Sequence, residues 1–154
     1  MKEMFNVNNN KFNLYNKIIM LFYYIMNVFE NTVDKIFVIN LDKDKERLEY
    51  IKNQFKDYGC NNIERIPGIL GKNLPDKNQY MKKLSNFHNN RDSAYGIAKS
   101  HMFIFKKMID ENINTALILE DDIKLTPLIK HFKKIYNQLP KDWDLVWVGN
   151  SRSK

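Results

Sequence analysis

The chain has 154 residues, 44% apolar and 13% aromatic, which suits one domain with a real core and excludes a disordered chain. Its formal charge of +7 arises from 25 basic against 18 acidic residues, but 21 of the basic residues are Lys and four are Arg. That Lys skew, beside abundant Asn and Ile, is compositional and argues against a specific nucleic-acid partner, leaving a small basic nucleic-acid-binding module as the least favoured alternative. A single cysteine, Cys60, excludes an intramolecular disulfide framework and a cysteine-based zinc site.

Residues 1–34 read as an N-terminal appendage, poorly ordered or forming a short apolar helix. Its most apolar stretch, Ile18 to Phe29, is interrupted by Asn27 and is too short for a membrane span, which needs roughly 20 apolar residues. No small-residue cleavage site follows it, so secretory targeting is not expected. Translation can start at Met1 or at Met26. The regular pattern begins with KIFVINL (35–41), a β-branched and aromatic run without alternation, as expected for a strand covered on both faces. Asp42 is the expected cap of the helix that follows, with apolar positions Leu48, Ile51, Phe55 and Tyr58 and a stop at Gly59. Asn62 to Ile66 fits a second strand, and Pro67-Gly68, Gly71 and Pro75 open an irregular connection to about Arg91.

Ala94 to Glu111 carries Ile97, Ala98, His101, Met102, Phe105, Met108 and Ile109 at helical spacing, which predicts an amphipathic helix packed through that stripe. Thr115 to Leu119 is a short apolar strand, and Thr126-Pro127 opens a predicted helix with Leu128, Ile129, Phe132, Ile135 and Leu139. Trp143 to Val148 (WDLVWV) reads as a last strand. Strands alternating with helices in this way predict an α/β fold with a mostly parallel sheet and helices on both faces. Ligands of such sheets bind beyond the carboxyl ends of the strands.

Glu120, Asp121 and Asp122 directly follow the 115–119 strand, at that edge. Clustered carboxylates repel one another, and a hard divalent ion such as Mg²⁺ or Mn²⁺ that also holds phosphate oxygens would offset the repulsion. In extended backbone Glu120 and Asp122 share a face and Asp121 points away, which makes Glu120 and Asp122 the candidate metal pair. From the triplet alone, a solvated loop or a cap for the next helix is the competing reading. Arg47 reads either as a phosphate or ribose contact or as a helix-surface ion pair. His101 reads as a packed histidine unless something else marks it, and His88 and His131 read as surface residues.

The stretch KIFVINLDKDKERLEYIKNQF resembles the opening of glycosyltransferase family 25, the lipopolysaccharide and collagen galactosyltransferases, through Asn40, Leu41, Asp42 and Arg47. Three further segments of that family's pattern are matched in order by Ser100-His101, Leu119-Glu120-Asp121-Asp122 and Trp143-Asp144-Leu145. Four segments in order across residues 35 to 150 are more specific than any one of them.

The resemblance implies a nucleotide-diphosphosugar transferase-like fold (GT-A, Rossmann-like) over residues 35–154, as the donor-binding part of a truncated domain. It implies transfer of a hexose, galactose by preference over glucose, from a UDP-sugar to an acceptor hydroxyl with inversion. Asn40, Leu41, Arg47, Ser100 and His101 would lie on the nucleotide side, and Glu120 with Asp122 would hold Mn²⁺ or Mg²⁺ at the diphosphate. The implied acceptor is a glycan, a lipid-linked sugar or a hydroxylysine-type protein. The implied location is cytoplasmic or peripheral to a membrane, where residues 18–29 could touch the surface. Two departures accompany the match. Gly68-Ile69-Leu70-Gly71 stands where the family commonly carries an acid, and the sequence stops soon after the Trp-Asp-Leu segment. A separate chain carrying the remaining half, or an inactive fragment, are the alternatives that follow, and no general base can be assigned.

Overall fold

A computed structural model describes residues 28–29, 32–75 and 91–149. The expected leading segment up to Asn27, with its membrane and targeting readings, and the connection 76–90 with His88 lie outside the described residues. Among the described residues no helix is long and apolar enough to cross a membrane.

Strand β1 (Lys35–Asn40) is the centre of a three-stranded sheet, with β2 (Ile63–Pro67) on one side and β3 (Ala116–Glu120) on the other, both parallel to it. Its unbroken apolar run follows from burial on both faces. Ile36 and Val38 join Ile51, Phe55, Leu117 and Leu119 in one cluster, and Phe37 and Ile39 join Ile66 and Ile104 in another. Helix α1 (Lys45–Lys56) supplies Ile51 and Phe55 to the first cluster, and helix α2 (Arg91–Asp110) supplies Ile104 to the second. The expected parallel sheet with a helix on each face is therefore present, an arrangement compatible with a Rossmann-like fold. Val28 and Phe29, inside the 1–34 segment, belong to the α1-side core, where Phe29 stacks on Phe55 at 5.1 Å.

Both long helices stop on the same device. Gly59 has φ 74° and Asn112 has φ 55°, the left-handed conformation that closes a helix. Beyond them the Cys60 N–H donates to the Phe55 carbonyl at 3.0 Å and the Ile113 N–H to the Met108 carbonyl at 2.9 Å. The stop expected at Gly59 is thus observed, and Asn112 provides its counterpart with the residue type next most tolerant of that backbone.

Four expectations are corrected. Asp42 does not cap α1. A turn in which the Asp44 N–H donates to the Leu41 carbonyl at 3.0 Å delays the helix to Lys45, and the Asp42 carboxylate accepts from Arg65 instead. Helix α2 does not pack through its most apolar stripe. It seats through Gly96, Ser100 and Ile104, four residues apart, while Ile97, Met102, Phe105 and Ile109 remain exposed. Close backbone approach explains the choice. A Cβ on Gly96 would lie 2.2 Å from the Ile69 carbonyl oxygen, and one on Gly71 would lie 2.0 Å from that of Asp92. The helix predicted over 126–139 is a 3-10 segment, Pro127–His131, followed by the short helix α3 (Phe132–Tyr136). Trp143–Val148 forms no strand. Trp143 packs edge-on against Tyr136 with ring centroids 6.2 Å apart, and Trp147 stands 83% exposed with no sheet ladder to hold it.

Candidate functional site

The strand order β2-β1-β3 means that the chain leaves β1 towards one side of the sheet and later returns on the other. Helices crossing in opposite directions leave a crevice between the carboxyl ends of β1 and β3, the place where open α/β sheets bind ligands. A cleft of about 310 Å³ occupies this edge. Ile39 and Leu41 close it from β1, Gly68 to Lys72 from the loop after β2, Ser93 and Ile97 from α2, and Glu120 to Asp122 from the end of β3.

Of the residues expected to act, Leu41, Arg47, Ser100, Glu120 and Asp122 all line the cleft. Arg47 sits in the first turn of α1, 58% exposed, with Nη1 3.5 Å from Asp121 Oδ1. Ser100 is buried. Its Oγ donates to the Gly96 carbonyl at 2.8 Å and accepts from the Ile69 N–H at 2.9 Å, so it fastens the loop after β2 to α2. His101 is not among the residues lining the cleft. It lies half-buried on α2 with its ring centroid 6.3 Å from that of Phe105. Asn40 is 2% exposed, in the wall behind the cleft.

The three acids take different surroundings. Glu120 ends β3 opposite Ile39, half-buried, and Asp122 is exposed. Asp121 is 13% exposed and faces Arg47 of α1, and Asn40 Nδ2 at the end of β1 donates to its Oδ2 at 2.6 Å. The loop that carries them is pinned from α1 as well. Gln54 donates through Nε2 to the Ile123 carbonyl at 3.2 Å, and its Oε1 accepts from the Leu125 N–H at 2.7 Å. Sequence reasoning passed over Gln54 because a Gln on a helix surface is ordinary. Its partners lie about 70 residues away and only the fold reveals them.

Charge decides what the cleft can hold. Among the described residues, and leaving Asp92 aside, Asp44, Glu120, Asp121 and Asp122 line it against Arg47 and Lys72, so carboxylates outnumber cations there in a chain that is basic overall. An anionic ligand entering it is repelled unless a cation comes too. Among the described residues no group of three His, Cys, Asp or Glu is assembled to hold a metal by itself. The donors at hand, two carboxylates beside open space, fit an Mg²⁺-like ion that takes one or two carboxylates and completes its shell with water and phosphate oxygens.

The sequence profile of glycosyltransferase family 25 (LPS biosynthesis protein) matches residues 33–152. A glycosyltransferase 25 family member of Drosophila pseudoobscura pseudoobscura is 30% identical over 135 residues, which cover 80% of this chain and 21% of the relative. One of Aedes aegypti is 29% identical over 135 residues, covering 78% and 22% respectively. Procollagen galactosyltransferase 2 of Mus musculus is 24% identical over 132 residues, covering 77% and 21%. The chain therefore spans 21–22% of the length of these relatives.

Proposed function

This chain belongs to glycosyltransferase family 25, and on that premise we propose that its cleft is the donor site of a metal-assisted hexosyltransferase with a GT-A architecture. The donor in this reading is a UDP-sugar, with galactose the preferred hexose. The acceptor is a hydroxyl of a glycan, a lipid-linked sugar or a hydroxylysine. The observation that carries the reading is the excess of carboxylates among the described residues of a cleft at the switch point of a parallel sheet. A nucleoside diphosphate is favoured there only together with a divalent cation.

Each wall has a task in this reading. Glu120 and Asp122 would hold the cation at the diphosphate. When bound, Mn²⁺ or Mg²⁺ offsets the negative charge that develops on the departing diphosphate. Arg47, at the mouth and mostly exposed, pairs with Asp121 at 3.5 Å through Nη1 and would present its remaining guanidinium N–H groups to a phosphate oxygen. Ile39, Leu41 and Ile97 offer an apolar wall for a base or sugar ring. Ser100 holds the 68–71 loop, another part of the lining, on α2. His101 is assigned no contact.

Competition calorimetry tests the donor class. With Mn²⁺ present, UDP-galactose is expected to displace bound UDP, UDP-glucose to do so more weakly, and GDP-mannose not to compete. Equal competition by all three would remove the uridine reading.

A further inference from the structure

The carboxyl edge of the sheet is tied together behind the cleft by one buried amide and one guanidinium. Asn40 Nδ2 donates to Asp121 Oδ2 at 2.6 Å and to the Asp44 carbonyl at 2.8 Å, while Asn40 Oδ1 accepts from Arg65 Nε at 3.0 Å. The same guanidinium donates through Nη2 to the Asn40 carbonyl at 3.0 Å and to the Asp42 carboxylate. A third tie reaches that backbone carbonyl from the Gly68 N–H at 2.9 Å. The ends of β1, β2 and β3 and the start of α1 thus meet on Asn40.

The orientation of the amide is fixed by its neighbours. Two acceptors face its nitrogen and one donor faces its oxygen, so a flipped amide would set oxygen against carboxylate and NH₂ against guanidinium. Every hydrogen-bonding position of this 2% exposed side chain that the neighbours can fill is filled. Asp121 receives the result. One oxygen is held by Asn40 and the other faces Arg47 at 3.5 Å, which leaves Glu120 and Asp122 as the members of the triplet with uncommitted oxygens among the described contacts.

We propose that Asn40 and Arg65 are positioning residues that lock Asp121 as the fixed member of the triplet, and thereby select Glu120 and Asp122 to take the divalent ion. The inference rests on the metal-assisted reading given above. It assigns Arg65, 29% exposed and outside the residues lining the cleft, a part in metal affinity that it exerts without touching metal or donor. Partners bonded directly to metal ligands typically contribute roughly 10- to 100-fold in metal affinity, and Arg65, which acts through Asn40 and the non-ligand Asp121, is expected at or below the lower end of that range.

The test is binding of Mn²⁺ with UDP by calorimetry, and of Mn²⁺ by electron paramagnetic resonance, on the full chain and on variants whose circular dichroism and melting confirm folding. Arg65→Met is expected to weaken Mn²⁺ binding by up to roughly 10-fold, and Arg65→Lys, which keeps charge but loses the fork, to recover part of that loss. Recovery by Lys would not follow from a purely steric role. Asp121→Asn, which still offers an oxygen to Asn40, is expected to lose less than Glu120→Gln or Asp122→Asn. Metal-independent folding and the NMR signal of the Asn40 side-chain amide report the network separately. That signal should be exchange-protected in the parent and lose protection in Arg65→Met. A folded Arg65→Met that binds Mn²⁺ as tightly as the parent overturns the proposal alone, as does an Asp121→Asn loss equal to that of the metal pair. A parent chain with a protected Asn40 amide that binds no Mn²⁺ overturns the metal reading itself, and the proposal with it.

Discussion

On the α1 face of the sheet Ile51 and Phe55 are fully enclosed and Phe29 stacks on Phe55, whereas on the α2 face Ile104 is enclosed while Phe105 is exposed and Ile109 stands 76% exposed. Helix α2 has the more apolar sequence of the two and yet leaves more of it exposed, so composition does not account for the difference. Helix α1 docks through large side chains and derives its hold from buried area. Helix α2 docks through Gly96 and Ser100, whose small size lets backbone approach backbone at the cleft end. One face supplies cohesion, and the other supplies the shape of the cleft.

Breaking the α1 face should be the costlier act. Phe55→Ala removes a wholly buried ring from both the core cluster and the Phe29 stack, and is expected to destabilise by about 3–5 kcal/mol in urea unfolding. Gly96→Ala strikes the close approach on the other face, where the new methyl meets the Ile69 carbonyl oxygen. A loss of about 1–3 kcal/mol is expected, together with weaker ligand binding because the 68–71 loop must move. A Phe55→Ala variant that unfolds no more readily than Gly96→Ala would reverse the assignment of cohesion and shape.

Gln54→Ala sharpens the comparison at its border, since it leaves the Ile123 carbonyl and the Leu125 N–H without their side-chain partner. It is expected to lose about 1–2 kcal/mol, and faster amide exchange at Leu125 would locate the effect in the acid-bearing loop. Ile109→Ala should move the unfolding midpoint by less than about 0.5 kcal/mol, because the side chain is already mostly in water. The smallest effect concerns Cys60, beside the α1 core, where burial pushes the thiol pKa up. A pKa raised on folding means that this group's contribution to stability is intact below the unfolded thiol pKa and is lost as pH rises through the folded one. Alkylation of the native chain should accordingly reach half its maximal rate at higher pH than alkylation of the urea-unfolded chain.

The contrast between the faces also explains what the sequence could reveal. β1, α1 and β3 were legible because their runs of large apolar residues are in fact buried, and β2, where only Ile66 is buried, because Pro67-Gly68 punctuates a short β-branched stretch. The phase of α2 was not, because the eye follows Ile97, Phe105 and Ile109 while the helix seats through Gly96 and Ser100, which carry little apolar signal. WDLVWV has the composition of a strand, but composition supplies no neighbouring ladder, and Trp143 packs on Tyr136 instead. At the site, the acids were legible from their place after a strand. Arg65 was not, since its role depends on parallel register that sets β2 beside β1 and brings the guanidinium to Asn40.

The central claim is that the cleft at the carboxyl edge binds a nucleoside diphosphate through a divalent ion held by Glu120 and Asp122. Its most direct test is titration calorimetry of the chain with UDP, with and without Mn²⁺, beside a Glu120→Ala, Asp122→Ala double variant. The account predicts binding that appears with Mn²⁺ and is lost in the folded double variant. A folded parent chain that binds no UDP, or binds it equally with and without the metal, would contradict it.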